Sequence, residues 1–325
     1  MITMTELARL AGVSQPTVSR VLNGNASVNP EVAKKVMDCV KKYNYQPNMM
    51  ARSLNGSKTY LIAVIVPNIA NPFFAEVLEA IEREAEKEGY SILIFNSDYS
   101  EEKERKYLGV LQRYRVDGLL VAPVHANEKG LHPFRELTIP WMVITNSAEN
   151  VDSVYISLEK AGYMIAQHLV SIEVEKFVFI GERTDKKFIG FEKGLIDKGI
   201  DTRQHLTVFW EEDREKMLEL MLEYLEEIEE RAGIFALNDM EALVVLNALI
   251  EARIAVPEKV ALVGFDNTFI SKRISPGITS VNQPINEMCR IAVESLLKQI
   301  KGEKHQEVQY TELMSELVVR GSSEH

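Results

Sequence analysis

Only two cysteines, two tryptophans and six histidines occur in 325 residues. Cys39 and Cys289 stand far apart inside apolar helical patterns, so two buried free thiols are expected rather than a disulfide. The histidines form no ligand-spaced cluster, and neither a metal nor a cofactor is expected. No apolar run approaches the length of a membrane span and no signal-peptide pattern opens the chain, so the expectation is a cytoplasmic protein with no membrane partner. Enzyme signatures are missing too. There is no G-x-G-x-x-G, P-loop or nucleophile elbow, and Asp98, Asp239 and Asp266 have no partner at a catalytic spacing, so a non-enzyme is expected.

The chain is also short of positive charge, but unevenly. Its net charge is −11, yet residues 1–58 carry five Lys and three Arg against Glu6, Glu31 and Asp38, a net of +5 that leaves −16 for the rest. A basic head on an acidic body fits contact with a polyanion through one end while the body repels it. The length suits two or three domains.

The basic end reads as short helices. Thr3 can cap a helix through Ala11, with Glu6 completing a capping box and Leu7 and Leu10 forming an apolar stripe. A turn at Gly12-Val13 follows, Ser14 caps a second helix to about Asn23, and Pro30 starts a third through about Tyr43 with Val32, Val36, Met37 and Val40 inward. Two helices joined by a Gly-containing turn form a helix-turn-helix. In GVSQPTVSRVLNG, Val18, Val21 and Leu22 face inward, while Gln15, Thr17, Ser19, Arg20 and Asn23 offer donors and acceptors suited to base edges and phosphates in a major groove.

The segment from Gln46 to Thr59 reads either as a plain linker or as a short helix, Met49 to Leu54, that forms only on a partner. From Leu61 the rhythm changes. LIAVIVP, SILIFNSD, GLLVAP, WMVITN, KFVFIG, GIFALND and VALVGFD are apolar runs, and helices are indicated over Phe73–Glu88, Glu101–Tyr114, Arg214–Arg231 and Glu241–Arg253. Such alternation implies parallel sheets covered on both faces, in two doubly wound halves. Ligands then sit beyond the strands' carboxyl ends, near Pro67, Asn96, Pro123, Thr145, Asn238 and Asp266.

These residues resemble the lactose/galactose repressor family of bacterial transcription regulators over nearly the whole chain. AGVSQPTVSRVLNG is similar to that family's DNA-binding head and YQPNMMARSL to its hinge helix. IVPNIANPFFAEVLEAIE, RVDGLLV, ALND, VALVGFD, the NQP at Asn282–Pro284 and LVVRGSS resemble markers of its periplasmic-binding-protein-like core. The resemblance implies an α/β chain with a three-helix helix-turn-helix head at residues 1–45, a hinge helix and linker at 46–60, and a two-subdomain doubly wound core at 61–325. The core divides at about 61–157 with 285–319, and 158–284 with 320–325.

For the head, the resemblance implies DNA contacts from Thr3, Ser14, Gln15, Pro16, Thr17, Ser19, Arg20 and Asn23. Pro16 has no side-chain hydrogen bond to give, so fewer direct base contacts are expected there. Leu54 stands where a hinge leucine wedges into the minor groove of a palindromic site, with Asn48 and Ala51 lining the groove. For the core, it implies an effector between the halves whose binding changes their angle, contacted by Asn71, Phe73, Phe74, Thr145, Lys187, Trp210, Asn238 and Asp266. Phe73 and Phe74 read equally as a buried first helical turn, and Asn238 and Asp266 as caps.

Two departures bear on the effector. Thr145 replaces the usual aspartate and Lys187 the usual arginine, whose planar fork a lysine cannot reproduce. A sugar, a sugar phosphate or a sugar acid all remain open. The partners implied are a pseudo-palindromic double-stranded operator, a small-molecule effector and a second copy of the chain, because two-fold operators need paired heads. Some relatives use a phosphocarrier co-effector, and no residue here identifies one. A periplasmic-type solute-binding protein is the rival reading. It would need export and no DNA-binding head.

Overall fold

A computed structural model describes residues 2–22, 28–45, 58–211, 213–303 and 307–324. The chain divides into two compact units, Met1–Thr59 and Tyr60–His325.

In the first unit, α1 (Met4–Ala11) is closed at its start by the full capping box: Glu6 N donates to Thr3 Oγ1 and Thr3 N to the Glu6 carboxylate at 2.7 Å. That pairing satisfies two otherwise orphaned backbone donors. Gly12 ends the helix at φ +67, a left-handed conformation that side-chain-bearing residues resist. Helix α2 (Gln15–Leu22) and α3 (Pro30–Lys42, capped by Asn29) follow. Leu7, Ala8, Val18, Val36 and Tyr45 form the buried centre. Leu10 and Met37, expected to face inward, are each 41% exposed. A unit this small encloses a single layer of side chains, so the apolar stripe on each helix is narrower than the pattern allows.

The second unit holds two six-stranded sheets. The first is ordered β11-β5-β4-β3-β1-β2, where β1 is Leu61–Val66, β2 Ser91–Asn96, β3 Gly118–Val121, β4 Trp141–Thr145, β5 Ser153–Ile156 and β11 Tyr310–Leu313. All its pairings are parallel. Helices α4 (Pro72–Lys87) and α13 (Ile285–Ile300) cover one face, and α5 (Glu101–Tyr114) and α6 (Glu128–Arg135) the other. The second sheet is ordered β12-β10-β9-β8-β6-β7, with β6 Lys176–Ile180, β7 Leu206–Phe209, β8 Ala232–Ala236, β9 Val260–Asp266, β10 Thr279–Asn282 and β12 Glu316–Val318. Only β12 runs antiparallel. Here α7 (Leu158–Ser171) and α8 (Lys186–Asp197) pack on one face, and α10 (Arg214–Glu227) and α11 (Asp239–Glu251) on the other. The short helices α9 (Thr202–His205) and α12 (Phe269–Arg273) complete this half.

The chain crosses between halves three times: after β5, at Gln283-Pro284, and between Leu313 and Glu316. The last crossing precedes the expected boundary at 319, because β12 pairs with β10 of the second sheet. The acidic helix also ends early, at Glu227 rather than Arg231. Its final residues are carboxylates, which the negative end of the helix dipole disfavours. Lys259 Nζ instead donates to the Ile228 and Glu230 carbonyls beyond it.

Glycines set one approach that matters for the ligand cleft. A Cβ at Gly162 would run into the Lys187 carbonyl, and one at Gly190 into the Glu159 carbonyl. The backbones of α7 and α8 therefore touch, which fixes where Lys187 starts.

Candidate nucleic-acid interface and ligand cleft

Helix α2 buries Val18 completely and leaves Gln15, Pro16 and Arg20 exposed, with Thr17 and Ser19 half-buried. The Ser14 and Thr17 hydroxyls bond each other at 2.9 Å, and the Ser14 carbonyl accepts the first amides of the helix. No carboxylate among the described residues pairs with Arg20. Its guanidinium is therefore available, together with exposed Arg9, Lys34, Lys35, Lys41 and Lys42 on the same unit. Asn23, Asn48, Ala51 and Leu54, and with them the expected hinge helix, lie outside the described residues.

In the second unit a cavity lies between α4 of the first half and the end of β9 with the second crossing, and of the expected effector residues Asp266 alone lines it. This open cavity, of about 580 Å³, is lined by Glu76 and Arg83 of α4, by Asp266, Asn267 and Phe269, and by Gln283 of the second crossing. Glu76 reaches across the halves, accepting from the Phe269 backbone amide at 3.0 Å. That contact supplies the cap α12 otherwise lacks, since its N-cap Thr268 makes no side-chain cap bond.

Asp266 ends β9 only 5% exposed, at φ +98, with Asn267 following at φ +50. Two successive non-glycine residues in left-handed backbone are strained, and strain of this kind persists where the surroundings over-determine it. Those surroundings are polar. Asp239 accepts from the Thr268 backbone amide (2.7 Å) and hydroxyl (2.9 Å) and from Ser280 Oγ (2.6 Å), while Ser280 Oγ accepts from the Asn267 amide. Gln283 Nε2 donates to Asp266 Oδ1 at 2.7 Å. Burial pushes the Asp266 carboxyl up to about 7. The positive charge of Lys187 and the Gln283 bond act against that rise, and the charges of Asp239 and Glu76 add to it.

Lys187 sits at the start of α8, capped by Asp185. Its Nζ donates to the Leu237 carbonyl at 2.8 Å and lies 4.3 Å from the centre of the Phe265 ring. Asn238 caps α11, its side-chain oxygen accepting from Glu241 N at 2.9 Å. Asn71 caps α4 in the same way through Phe73 N. Thr145 ends β4, buried, at φ +71. For a β-branched residue this is a marked outlier, of the sort found at ligand clamps.

The structure thus brings Lys187 and Asp266 together, with Asn238 one residue beyond the carbonyl that Lys187 holds. Phe73 is 4% exposed within the core beneath α4, and Phe74 packs on the same cluster edge-to-face with it. Both side chains are therefore accounted for by packing. Trp210 stands 52% exposed after β7. The pattern reading missed Tyr99, Glu76, Asp239 and Gln283. Tyr99, at φ +54 in the loop after β2, is 58% exposed and lies within reach of the charges of Asp266 and Glu241 in the other half. Gln283 lay inside the quoted NQP without a role, since nothing in a tripeptide says which strand end it abuts.

A family model described as bacterial regulatory proteins, lacI family, matches residues 3–48, and one described as a periplasmic binding protein-like domain matches residues 166–323. The HTH-type transcriptional repressor PurR of Photobacterium profundum is 30% identical, over 99% of this chain and 98% of its own. The chain belongs to the lacI family of bacterial regulatory proteins. Catabolite control protein A of Priestia megaterium is another relative, 31% identical over 93% of both chains. Among solved structures, a periplasmic binding protein/LacI transcriptional regulator from Alkaliphilus metalliredigens complexed with D-xylulofuranose matches with TM-score 0.70 and 29% identity, covering 82% of this chain and all of that one. As a lacI-family regulator, the protein is a DNA-binding transcription repressor with a metabolite-binding core. No helix among its described residues is long and apolar enough to cross a membrane.

Proposed function

We propose that the protein is a cytoplasmic homodimer that represses carbohydrate-related genes from a pseudo-palindromic operator, its DNA affinity set by a sugar or sugar derivative held between the core halves. Residues 1–45 read the operator, 46–60 couple the head to the core, and 61–325 bind the effector and the second copy. The observation that carries this is the pairing of an Arg20 that no carboxylate among the described residues engages, on an exposed polar helix, with a cavity walled by both core halves. Each alone is common. Joined in one chain, they make an addressable reader and a sensor.

Gln15, Arg20 and Asn23 are assigned to base edges, and Thr3, Ser14, Thr17 and Ser19 to phosphates, with Pro16 contributing shape alone. Asn48, Ala51 and Leu54 are assigned to the minor groove at the centre of the site. In the cleft, Lys187, Asn238 and Asp266 are assigned to effector hydroxyls, Trp210 to a sugar face, and Asn71, Phe73, Phe74 and Thr145 to shaping the wall. The bound D-xylulofuranose of the Alkaliphilus protein supports a sugar-sized ligand. Thermal-shift screening of the full chain against sugars, sugar phosphates and sugar acids, followed by operator titration with each hit, tests this reading. A hit that leaves operator affinity unchanged contradicts it.

A further inference from the structure

RVDGLLV holds an aspartate that neither the core nor the cleft uses. Asp117 stands between α5 and β3, and Gly118 after it lies so close to α13 that a Cβ there would meet Ile300 Cδ1 at 2.9 Å. The start of β3 is pressed against that helix, which fixes where Asp117 stands. Asp117 N donates to the Leu61 carbonyl at 2.8 Å. Its side chain reaches one residue further back, where Oδ2 accepts from the Tyr60 amide at 2.8 Å.

Tyr60 is the first residue of the second unit, and it is held from three directions. The pairing of β1 with β3 starts only at Ile62 with Gly118, and Tyr60 lies at φ +57, a left-handed conformation that a bulky residue keeps only under constraint. In that conformation its amide turns away from the strand register, and the Asp117 carboxylate accepts it instead. On the other side the Tyr60 carbonyl accepts from Ser91 N at 2.9 Å. The ring, 43% exposed, lies 5.3 Å from that of Tyr90 and is tilted by 53° to it. Tyr90 is 6% exposed, and burial first, then the Asp117 charge, push its phenol up to about 12. A residue at the end of a plain linker has no need of such fastening.

Resting on the reading of residues 46–60 as the coupling between head and core, we infer that Asp117 is a positioning residue for operator binding, fixing through Tyr60 the point at which the linker leaves the core. Asp117 touches no DNA. A linker that starts from one fixed residue presents the head to a specific site in a larger share of its conformations, and apparent affinity follows that share. Random duplex asks for no such placement, because attraction to phosphates is independent of sequence. The effect of losing Asp117 is therefore selective for the specific site.

The test uses the full-length protein with Asp117→Ala, Asp117→Asn and Tyr60→Gly, each titrated against the duplex enriched from a random pool and against a random duplex of equal length at equal salt. Hydrogen exchange at the Tyr60 amide follows the bond, and thermal denaturation follows the fold. Asp117→Ala should lose protection at Tyr60 and weaken binding to the enriched duplex about tenfold, with the random duplex within about twofold of the parent. Asp117→Asn keeps a carbonyl oxygen for the amide and should bind the enriched duplex within about twofold of the parent. Tyr60→Gly relaxes the left-handed backbone, so it folds even where Asp117→Ala does not, and it should show the same selective loss. Parental affinity of Asp117→Ala or Tyr60→Gly for the enriched duplex overturns the inference, as does an equal loss on both duplexes or a loss that Asp117→Asn shares. A parent chain that enriches no duplex is a separate failure, which removes the reading of the head and this inference with it.

Discussion

Gln283 and Asp266 are joined by a 2.7 Å hydrogen bond in which the donor belongs to the segment leaving the second half and the acceptor to the strand end facing the cleft. A ligand that engages Asp266 therefore acts on a group one residue from the crossing's proline. This is a physical route from pocket occupancy to the angle between the halves.

The Asp266 carboxyl, lifted to about 7 by burial, makes stability depend on pH. The unfolded chain ionises this group first, so the native state binds more protons between about pH 4 and 7, and stability falls as pH rises through that window. Asp266→Asn removes the cost of ionising a buried group. The variant should be more stable than the parent at pH 8, with an upper bound of roughly 4 kcal/mol, and the difference should disappear near pH 4. Urea titrations at the two pH values measure it.

Lys187 holds the same carboxyl down through its charge. Lys187→Met should raise the Asp266 pKa further, above about 7, as read by carboxyl carbon NMR. A fall would mean that the lysine's charge does not act on Asp266.

Gly190 and Gly109 should respond to alanine with opposite signs. A methyl at 190 meets the Glu159 backbone, which cannot give way cheaply, whereas a methyl at 109 on α5 meets nothing within 4 Å. Gly190→Ala should cost at least 1 kcal/mol, of the order seen for overpacking, and displace the start of α8. Gly109→Ala should stabilise by up to about 1 kcal/mol through helix propensity. Thermal denaturation of the pair decides whether the α7–α8 contact is as close as described.

Arg20 has no carboxylate partner among the described residues to leave behind. Arg20→Ala should cost about 1 to 3 kcal/mol on the specific duplex, relax preference at one base pair, and leave thermal stability unchanged. Equal loss on random DNA would reassign the residue to phosphate contact.

How far these features could be read from the sequence follows from their physics. The capping box at Thr3 and Glu6 and the long apolar strands β1, β6 and β9 were legible, because a cap needs two residues at fixed spacing and a two-side-covered strand is apolar throughout. β5, β7, β10, β11 and β12 were not. They are three or four residues long and carry polar groups such as Ser153, Thr279 and Glu312, so register with a neighbour rather than pattern defines them. Asn238 and Asp266 could be placed at strand ends by the fold's logic. That Asp239 fastens the Asp266 turn through Thr268 and Ser280 required knowing that β8, β9 and β10 are adjacent. The bond from Gln283 to Asp266 is a property of its surroundings and has no signature in the chain.

The central claim is that the basic unit reads DNA sequence on behalf of the core behind it. Selection from a random duplex pool with the full-length protein, set beside a chain beginning at Tyr60, tests it most directly. The account predicts enrichment of one pseudo-palindromic site by the full chain, steeply weakened as salt rises, and none by the shorter one. Recovery of unenriched sequence by the full chain would contradict it.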